Sequence, residues 1–274
     1  MTDPDSPTPP RVLILNISPG NINTRMAIGV VESITSGAAV NVVFASSGPY
    51  LDAGRNKAIA HSRRVTVEGI QDLPHDIPLA WDWLLFIDSD IEFRAEDIRT
   101  LLTPTLHPTY DPFMYPILSG VYVNPFDEGP VPGEDASPTN SYYGPVAYQW
   151  AERDDFPGAL NGIRTPFLQR LSSRHLEIRQ PVNEDWNPPG TVTTPSPVCE
   201  VDACGAGFLA IHHSLIDAME RVYPEPMVWF DEPVHKGVHC GEDFGFCIRV
   251  QEMGYPVLVN RACRVPHYKT TILI

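Results

Sequence analysis

Cationic side chains are scarce in this chain. Lysine and arginine number 19 against 34 aspartates and glutamates, a formal net charge of −15 over 274 residues. Non-specific binding to DNA or RNA draws most of its affinity from cationic patches, so nucleic acid is not an expected partner. The same scarcity means that a phosphate-bearing ligand needs a local cation, which a bound metal would supply. Long apolar runs are also missing. None approaches the roughly 20 residues of a membrane span, so no span is expected. Residues 1–10 are acidic and proline-rich and lack the cationic and apolar parts of a secretory signal; they read as a disordered lead-in. Cys199, Cys204, Cys240, Cys247 and Cys263 form no Cys-x-x-Cys pair. Zinc-like spacing is therefore absent, and reduced, mostly buried thiols of a cytoplasmic protein are expected. No internal repeat is visible.

The chain has length and apolar content to build a core. Hydrophobic residues make up 43% of it, which predicts one large soluble α/β domain. Residues 11–18 and 38–45 are apolar runs that read as buried strands, and residues 81–87 form a third. Helical spacing covers 24–36, with Met26, Val30, Val31 and Ile34 on one side, and continues in 55–64 and 95–102. Strand and helix thus alternate through the first hundred residues, which implies a mostly parallel sheet with helices on both faces. A fourth strand is expected at 116–123. Residues 125–197 differ in character, being dense in proline, glycine and acids with aromatic interruptions such as Tyr142, Tyr143, Tyr148, Trp150, Phe156 and Trp186. They read as ordered loops and short strands over the acceptor side of a pocket. Regular structure resumes at 201–211, followed by a helix at 214–221, a short strand at 227–230, an amphipathic helix at 243–253 closed by Gly254, and a strand at 255–259.

One stretch stands out. The apolar run from Trp81 to Ile87 ends abruptly in Asp88-Ser89-Asp90. Residues i and i+2 of an extended strand point the same way, so Asp88 and Asp90 can present oxygens to one point beyond the strand end. Ligands of open α/β sheets bind at that edge. Two hard oxygen ligands suit Mg²⁺ or Mn²⁺, an ion that usually also holds substrate phosphates. The plainer alternative is that both acids cap the helix that follows.

Four more clusters carry polar chemistry, each with a structural alternative. Gly54-Arg55-Asn56-Lys57 reads as a glycine turn delivering donors to a helix start, where anions are favoured, or as a solvated first turn. Asp202 to Phe208 holds Gly205 and Gly207, which allow close approach of a ligand or simply a tight packing corner. Gly241-Glu242-Asp243 opens a helix, so one carboxylate serves as N-cap, and either is suited to general-base work. His267 follows a strand-like segment and can offer an imidazole to the same metal as Asp90, with Lys269 near a phosphate. It is equally an ordinary surface or core histidine.

In this order the pieces resemble the GT-A glycosyltransferases, notably the inverting family-2-like and the polypeptide N-acetylgalactosaminyltransferase-like enzymes. The resemblance runs from Arg11 to Lys269, with 125–197 as a divergent insertion, and the family's Gln-x-x-Arg-Trp region has no clear match. It implies a single GT-A, Rossmann-like domain over 11–274. Residues 11–124 would be the nucleotide-binding half and 198–274 the acceptor and catalytic half. It implies Mn²⁺ or Mg²⁺ on Asp88, Asp90 and His267. A nucleotide-sugar donor would be held by Ser18, Arg55, Asn56, Asp88, Ser89, Gly207 and Lys269. Asp243, with Glu242 as the other candidate, would deprotonate a saccharide or protein acceptor if the reaction inverts the anomeric centre. Three other readings stay open: a nucleotidyltransferase, a haloacid-dehalogenase-like phosphatase, and a non-catalytic module that binds sugar or nucleotide.

Overall fold

The computed structural model describes residues 8–18, 22–47, 50–63, 65–66, 69–70, 80–122, 146–153, 165–171, 176, 179–183, 186, 197–223 and 229–267. Its strands are β1 (Val12–Ser18), β2 (Asn41–Ser46), β3 (Val65–Thr66), β4 (Gly69–Ile70), β5 (Trp83–Asp88), β6 (Ile117–Tyr122), β7 (Ala147–Arg153) and β8 (Thr165–Arg170), then β9 (Val198–Val201), β10 (Ala203–Cys204), β11 (Phe208–His212), β12 (Val234–His235), β13 (Val238–His239) and β14 (Val257–Val265). The helices are α1 (Thr24–Thr35), α2 (Leu51–Ser62), α3 (Ala95–Leu102), α4 (His213–Val222) and α5 (Glu242–Glu252).

Seven strands form the central sheet in the order β2-β1-β5-β11-β6-β14-β9. β1 runs parallel to β2 and β5, and β6 runs parallel to β14. β11 joins these two groups antiparallel to both, and β9 lies antiparallel on the outer edge. Five strands therefore point one way, giving the mostly parallel α/β sheet expected. The apolar strands are covered on both faces. In β1, Leu13, Leu15 and Ile17 pack with residues of α2, α4 and α5, whereas Val12 and Ile14 pack with α1 and α3. This period-two split is why the strand reads as an unbroken apolar run.

Several expectations are corrected. In α1, Met26 and Val30 are buried as expected, but Val31 and Ile34 face solvent at 61% and 38% exposure. The helix approaches the sheet side along Gly29, where a Cβ would lie 2.4 Å from the Phe93 carbonyl oxygen. β2 is the outermost strand; Val43 and Ala45 pack under α2, while Phe44 is 52% exposed, so it is half-buried rather than buried. α2 begins at Leu51, not at 55. Gly54 lies inside it, where the missing Cβ lets the helix abut β2: a Cβ would be 2.8 Å from Ser47 Cα. Arg55 and Asn56 are thus in the helix's interior rather than at its start.

Asp88 and Asp90 do not cap α3, since Asp97 does so by accepting the Arg94 N–H at 2.7 Å. The N-cap of α5 is Gly241, with no side-chain cap bond, so Glu242 and Asp243 occupy the first helical turn instead. Gly245 carries α5 against the preceding chain, because a Cβ there would lie 2.1 Å from the Asp231 carbonyl oxygen. Trp229 and Phe230 are not in a strand, and 227–228 fall outside the described residues. The chain instead makes the β12–β13 hairpin, whose two turn residues, Lys236 and Gly237, have φ of 50° and 78°. Two positive φ angles match the twist of a two-residue hairpin. β14 is longer than expected because a register shift between Asn260 and Arg264 lets it continue along β6.

Of the 125–197 segment, β7 pairs with β8 on one side and with β10 on the other in a small three-stranded sheet. Tyr142, Tyr143 and Phe156 lie outside the described residues, as do residues 1–7. Among the described residues no helix is long and apolar enough to cross a membrane.

Candidate active site

The directions of the strands converge chemistry on one edge. β1, β5, β6 and β14 end there, β11 begins there, and α5 starts over it. A cavity of about 420 Å³ opens at this edge. Asp88, Ser89 and Asp90 line it from the end of β5, and Glu242 and Asp243 from the first turn of α5. Tyr122 closes it from the end of β6, and His267 from the segment after β14.

His267 is tied in place by backbone. Its residue bridges to Ile91, and the Glu92 N–H donates to the Pro266 carbonyl at 2.9 Å. That pairing brings His267 Nε2 to 3.0 Å from Asp90 Oδ2, with the His267 side chain only 7% exposed.

Arg55 lies behind the cavity wall, 1% exposed. Its Nη2 is 3.5 Å from Asp88 Oδ1 and 3.2 Å from Asp243 Oδ1, and its Nε is 3.7 Å from Glu242 Oε1. Nη1 donates to the Ala206 carbonyl at 3.3 Å, and the guanidinium stands 5.7 Å from the Phe86 ring centroid and 5.6 Å from that of Phe230. Burial works against its charge, but Asp243, Asp88 and Glu242 outweigh it and its pKa is raised. A guanidinium suits this place because its planar fork addresses several carboxylates at once.

The carboxylates still outnumber their cations. Burial raises the Asp88 pKa; Arg55 opposes this, while Asp243 and Asp90 add to it. Burial, then the neighbouring Asp243, raises that of Glu242 against the pull of Arg55. Asp243 Oδ2 accepts the Ala206 N–H at 3.0 Å, while its buried Oδ1 makes no hydrogen bond and faces Arg55 Nη2 at 3.2 Å as an ion pair.

Several residues expected to hold a ligand are instead committed to structure. Arg55 is enclosed as described. The Asn56 amide donates to the Phe230 carbonyl at 2.8 Å and accepts the Phe230 N–H at 3.0 Å. Ser18 is 7% exposed at the end of β1, and its carbonyl accepts the Ser47 N–H at 3.1 Å. Gly207 donates to Tyr122 Oη at 3.0 Å and accepts the Asp88 N–H at 3.0 Å. The two glycines make room for a side chain, not a ligand: a Cβ on Gly205 would lie 2.0 Å from Tyr122 Oη, and one on Gly207 2.8 Å from Tyr122 Cζ. None of these four expected contacts lines the cavity. Lys269 lies outside the described residues.

Tyr122 and Tyr148 line the cavity; Tyr148 belongs to the aromatic segment that the sequence sets over the pocket, whereas nothing in the sequence singles out Tyr122. Tyr122 ends an apolar strand and is indistinguishable there from core. Tyr148 packs edge-on to Phe244 with ring centroids 4.7 Å apart.

Among the described residues, no three His, Cys, Asp or Glu side chains converge as a metal cage. Asp88, expected as a third ligand beside Asp90 and His267, lines the same cavity with its Oδ1 3.5 Å from Arg55 Nη2. Asp90 and His267 alone still fit a cation that arrives with its substrate, since Mg²⁺ is commonly held by one or two carboxylates plus phosphates, and Mn²⁺ accepts imidazole. The excess of carboxylate around them also favours a divalent cation over a bare anion.

No protein-family model matches the sequence, and no curated protein matches it. Among solved structures, the chain is similar to A197 from STIV, with a TM-score of 0.45 and 14% identity over 95% of this chain and 86% of that one. It is also similar to GalNAc-T7 crystallised with UDP, GalNAc and Mn²⁺, with a TM-score of 0.47 and 13% identity over 97% of this chain and 45% of that one.

Proposed function

We propose that this protein is a GT-A-type glycosyltransferase that moves a sugar from a UDP- or GDP-linked donor to the hydroxyl of a saccharide or protein acceptor. One observation carries the reading: a single cavity at the carboxyl edge of the sheet has the Asp90–His267 pair and the Glu242–Asp243 pair in its wall, drawn from three distant parts of the chain. A carboxylate base beside a cation site is what an inverting displacement at a sugar carbon uses.

Asp90 and His267 would hold Mn²⁺ or Mg²⁺, which supplies charge neutralisation for a diphosphate. Ser89, between the two aspartates, faces the donor. For an inverting reaction, Glu242 takes the proton of the acceptor hydroxyl as its oxygen bonds to the anomeric carbon. The bond from that carbon to the terminal phosphate oxygen breaks, and the electron pair leaves with the nucleoside diphosphate. Glu242 is favoured over Asp243 as this base for two reasons. Its raised pKa brings it nearer the working pH, and Asp243 already accepts the Ala206 N–H and faces Arg55. Asp243 and Arg55 then orient the start of α5. The five cysteines, all unpaired and buried, support a reducing, cytoplasmic setting.

Titration calorimetry of UDP and GDP with and without Mn²⁺ tests the reading, followed by assay of nucleoside diphosphate release from nucleotide sugars. Metal-assisted binding of one diphosphate and its release on transfer are expected. Absence of binding to either overturns the proposal. Release of pyrophosphate would mark a nucleotidyltransferase, and hydrolysis of phosphate monoesters a phosphatase.

A further inference from the structure

Tyr122 is 5% exposed, yet it lines the cavity. Its hydroxyl oxygen accepts the Gly207 N–H at 3.0 Å, which fixes where the oxygen stands. Among the described residues, no acceptor takes the hydroxyl's own proton. A phenol is both donor and acceptor, and leaving a buried donor unmet costs about 1–3 kcal/mol. Such a group calls for a partner that arrives from outside.

The surroundings narrow that partner. The Tyr122 ring meets the His267 ring edge-on, centroids 5.6 Å apart, which puts the phenol beside the Asp90–His267 pair. Asp88 is close by as well, since a Cβ on Gly207 would lie 2.9 Å from Tyr122 Oη and 3.1 Å from Asp88 Oδ2. A phenol is protonated near neutral pH, so beside the oxygen that accepts the Gly207 N–H it keeps a proton to donate. Tyr122 shares one cavity wall with the pair suited to a cation and the pair suited to a base. In a nucleotide-sugar donor laid along that wall, the group that joins the cation's end to the base's end is the terminal phosphate, from which the sugar departs.

We infer that the Tyr122 hydroxyl donates a hydrogen bond to the terminal phosphate of the bound nucleoside diphosphate. The inference rests on the nucleotide-sugar reading of the site. A fixed neutral donor there stabilises the negative charge that builds as the sugar leaves, without adding a cation to a crowded acidic cavity. The two glycines behind the ring are then its support, since a side chain at either would displace it.

The test uses Tyr122→Phe, which keeps the ring, with UDP and GDP each titrated with Mn²⁺ against its own monophosphate. The expected result is diphosphate affinity about tenfold weaker or more, as befits a lost bond to a charged group, with monophosphate affinity and melting temperature close to the parent's. Equal affinity of parent and variant for the diphosphate overturns the inference. So does equal weakening for diphosphate and monophosphate, which marks a structural role only. If the parent itself binds neither diphosphate, the functional reading fails and the inference falls with it. Should the variant fold poorly, 3-fluorotyrosine placed at position 122 gives a second readout. Its fluorine resonance should shift on adding the diphosphate with Mn²⁺ and stay in place with the monophosphate. No difference between the two overturns the inference.

Discussion

Asp90 and His267 meet at 3.0 Å although one follows β5 and the other follows β14, the last strand of the sheet. Nothing in the burial of the core demands this contact: Asp90 is 36% exposed, and His267, although only 7% exposed, is also held by the Tyr122 ring and by its backbone bridge to Ile91. Their value lies in what the pair can hold. Asp90→Asn should therefore leave the urea midpoint nearly unchanged while Mn²⁺-assisted nucleotide affinity falls by at least the ~10–100-fold that even outer-shell partners of a metal are worth. Calorimetry with and without Mn²⁺ reads this directly; an unchanged metal dependence would remove the pair from the site.

Arg55 makes the opposite prediction. It is buried, and three carboxylates share its charge. Removing one partner from a buried charge cluster costs roughly 3–5 kcal/mol because the remaining charges are left unpaired. Arg55→Met should lose stability on that scale in urea unfolding. The deficit should be smaller at about pH 4 than at about pH 8, since protonated carboxyls no longer need a counter-charge. Arg55→Lys should rescue only part, because one ammonium cannot address three acids together. A deficit that does not vary with pH would mean that packing against Phe86 and Phe230, not charge, holds Arg55 there.

These two residues mark what the sequence makes legible. Asp88-Ser89-Asp90 stands out because an apolar strand ends abruptly in acids at a sheet edge, and topology then carries it to the cavity. His267 and the Glu242–Asp243 pair were found in the same way, at the ends of regular elements. Arg55 was misread because a glycine inside a helix and a glycine before one look alike in a single sequence. Gly54 belongs to the interior only because Ser47 presses on it, a contact between elements. Tyr122 was passed over for a related reason: an aromatic residue closing an apolar strand reads as core until the three-dimensional neighbours of its hydroxyl are known. Helix and strand positions were largely readable because their apolar periodicity is local. The faces of α1 and β2 were not, since being outermost is a property of the sheet.

Glu242 and Asp243 are adjacent but should separate kinetically. If Glu242 is the base, Glu242→Gln lowers kcat by about 10²–10⁴-fold with little change in KM, and its cost in melting temperature is smaller than that of Asp243→Asn because Glu242 Oε1 stands 3.7 Å from Arg55 and Asp243 Oδ1 3.2 Å. Asp243→Asn retains an oxygen for the Ala206 N–H but loses its charge beside Arg55, so its effect should appear in stability as well as in rate. Steady-state kinetics beside thermal melts distinguishes them. A Glu242→Gln enzyme with parental kcat would transfer the role of base to Asp243.

His212 governs the acid limb of stability. It is 5% exposed, stands edge-on to Trp83 at 5.1 Å between ring centroids, and its Nδ1 lies 2.9 Å from Ser214 Oγ at the start of α4. Burial, then the neighbouring His213, lowers its pKa from 6.5 to about 4, against the pull of Asp82 and Asp217. Between those values the unfolded chain binds a proton that the folded chain refuses. Stability therefore rises with pH across that window and is lost as pH falls from 6.5 toward about 4. The linked loss is about 3 kcal/mol. His212→Asn removes the titrating group and keeps an acceptor for the helix cap. Urea unfolding across the window should show a flatter acid limb in the variant; limbs of equal slope would assign the acid loss to the carboxylates instead.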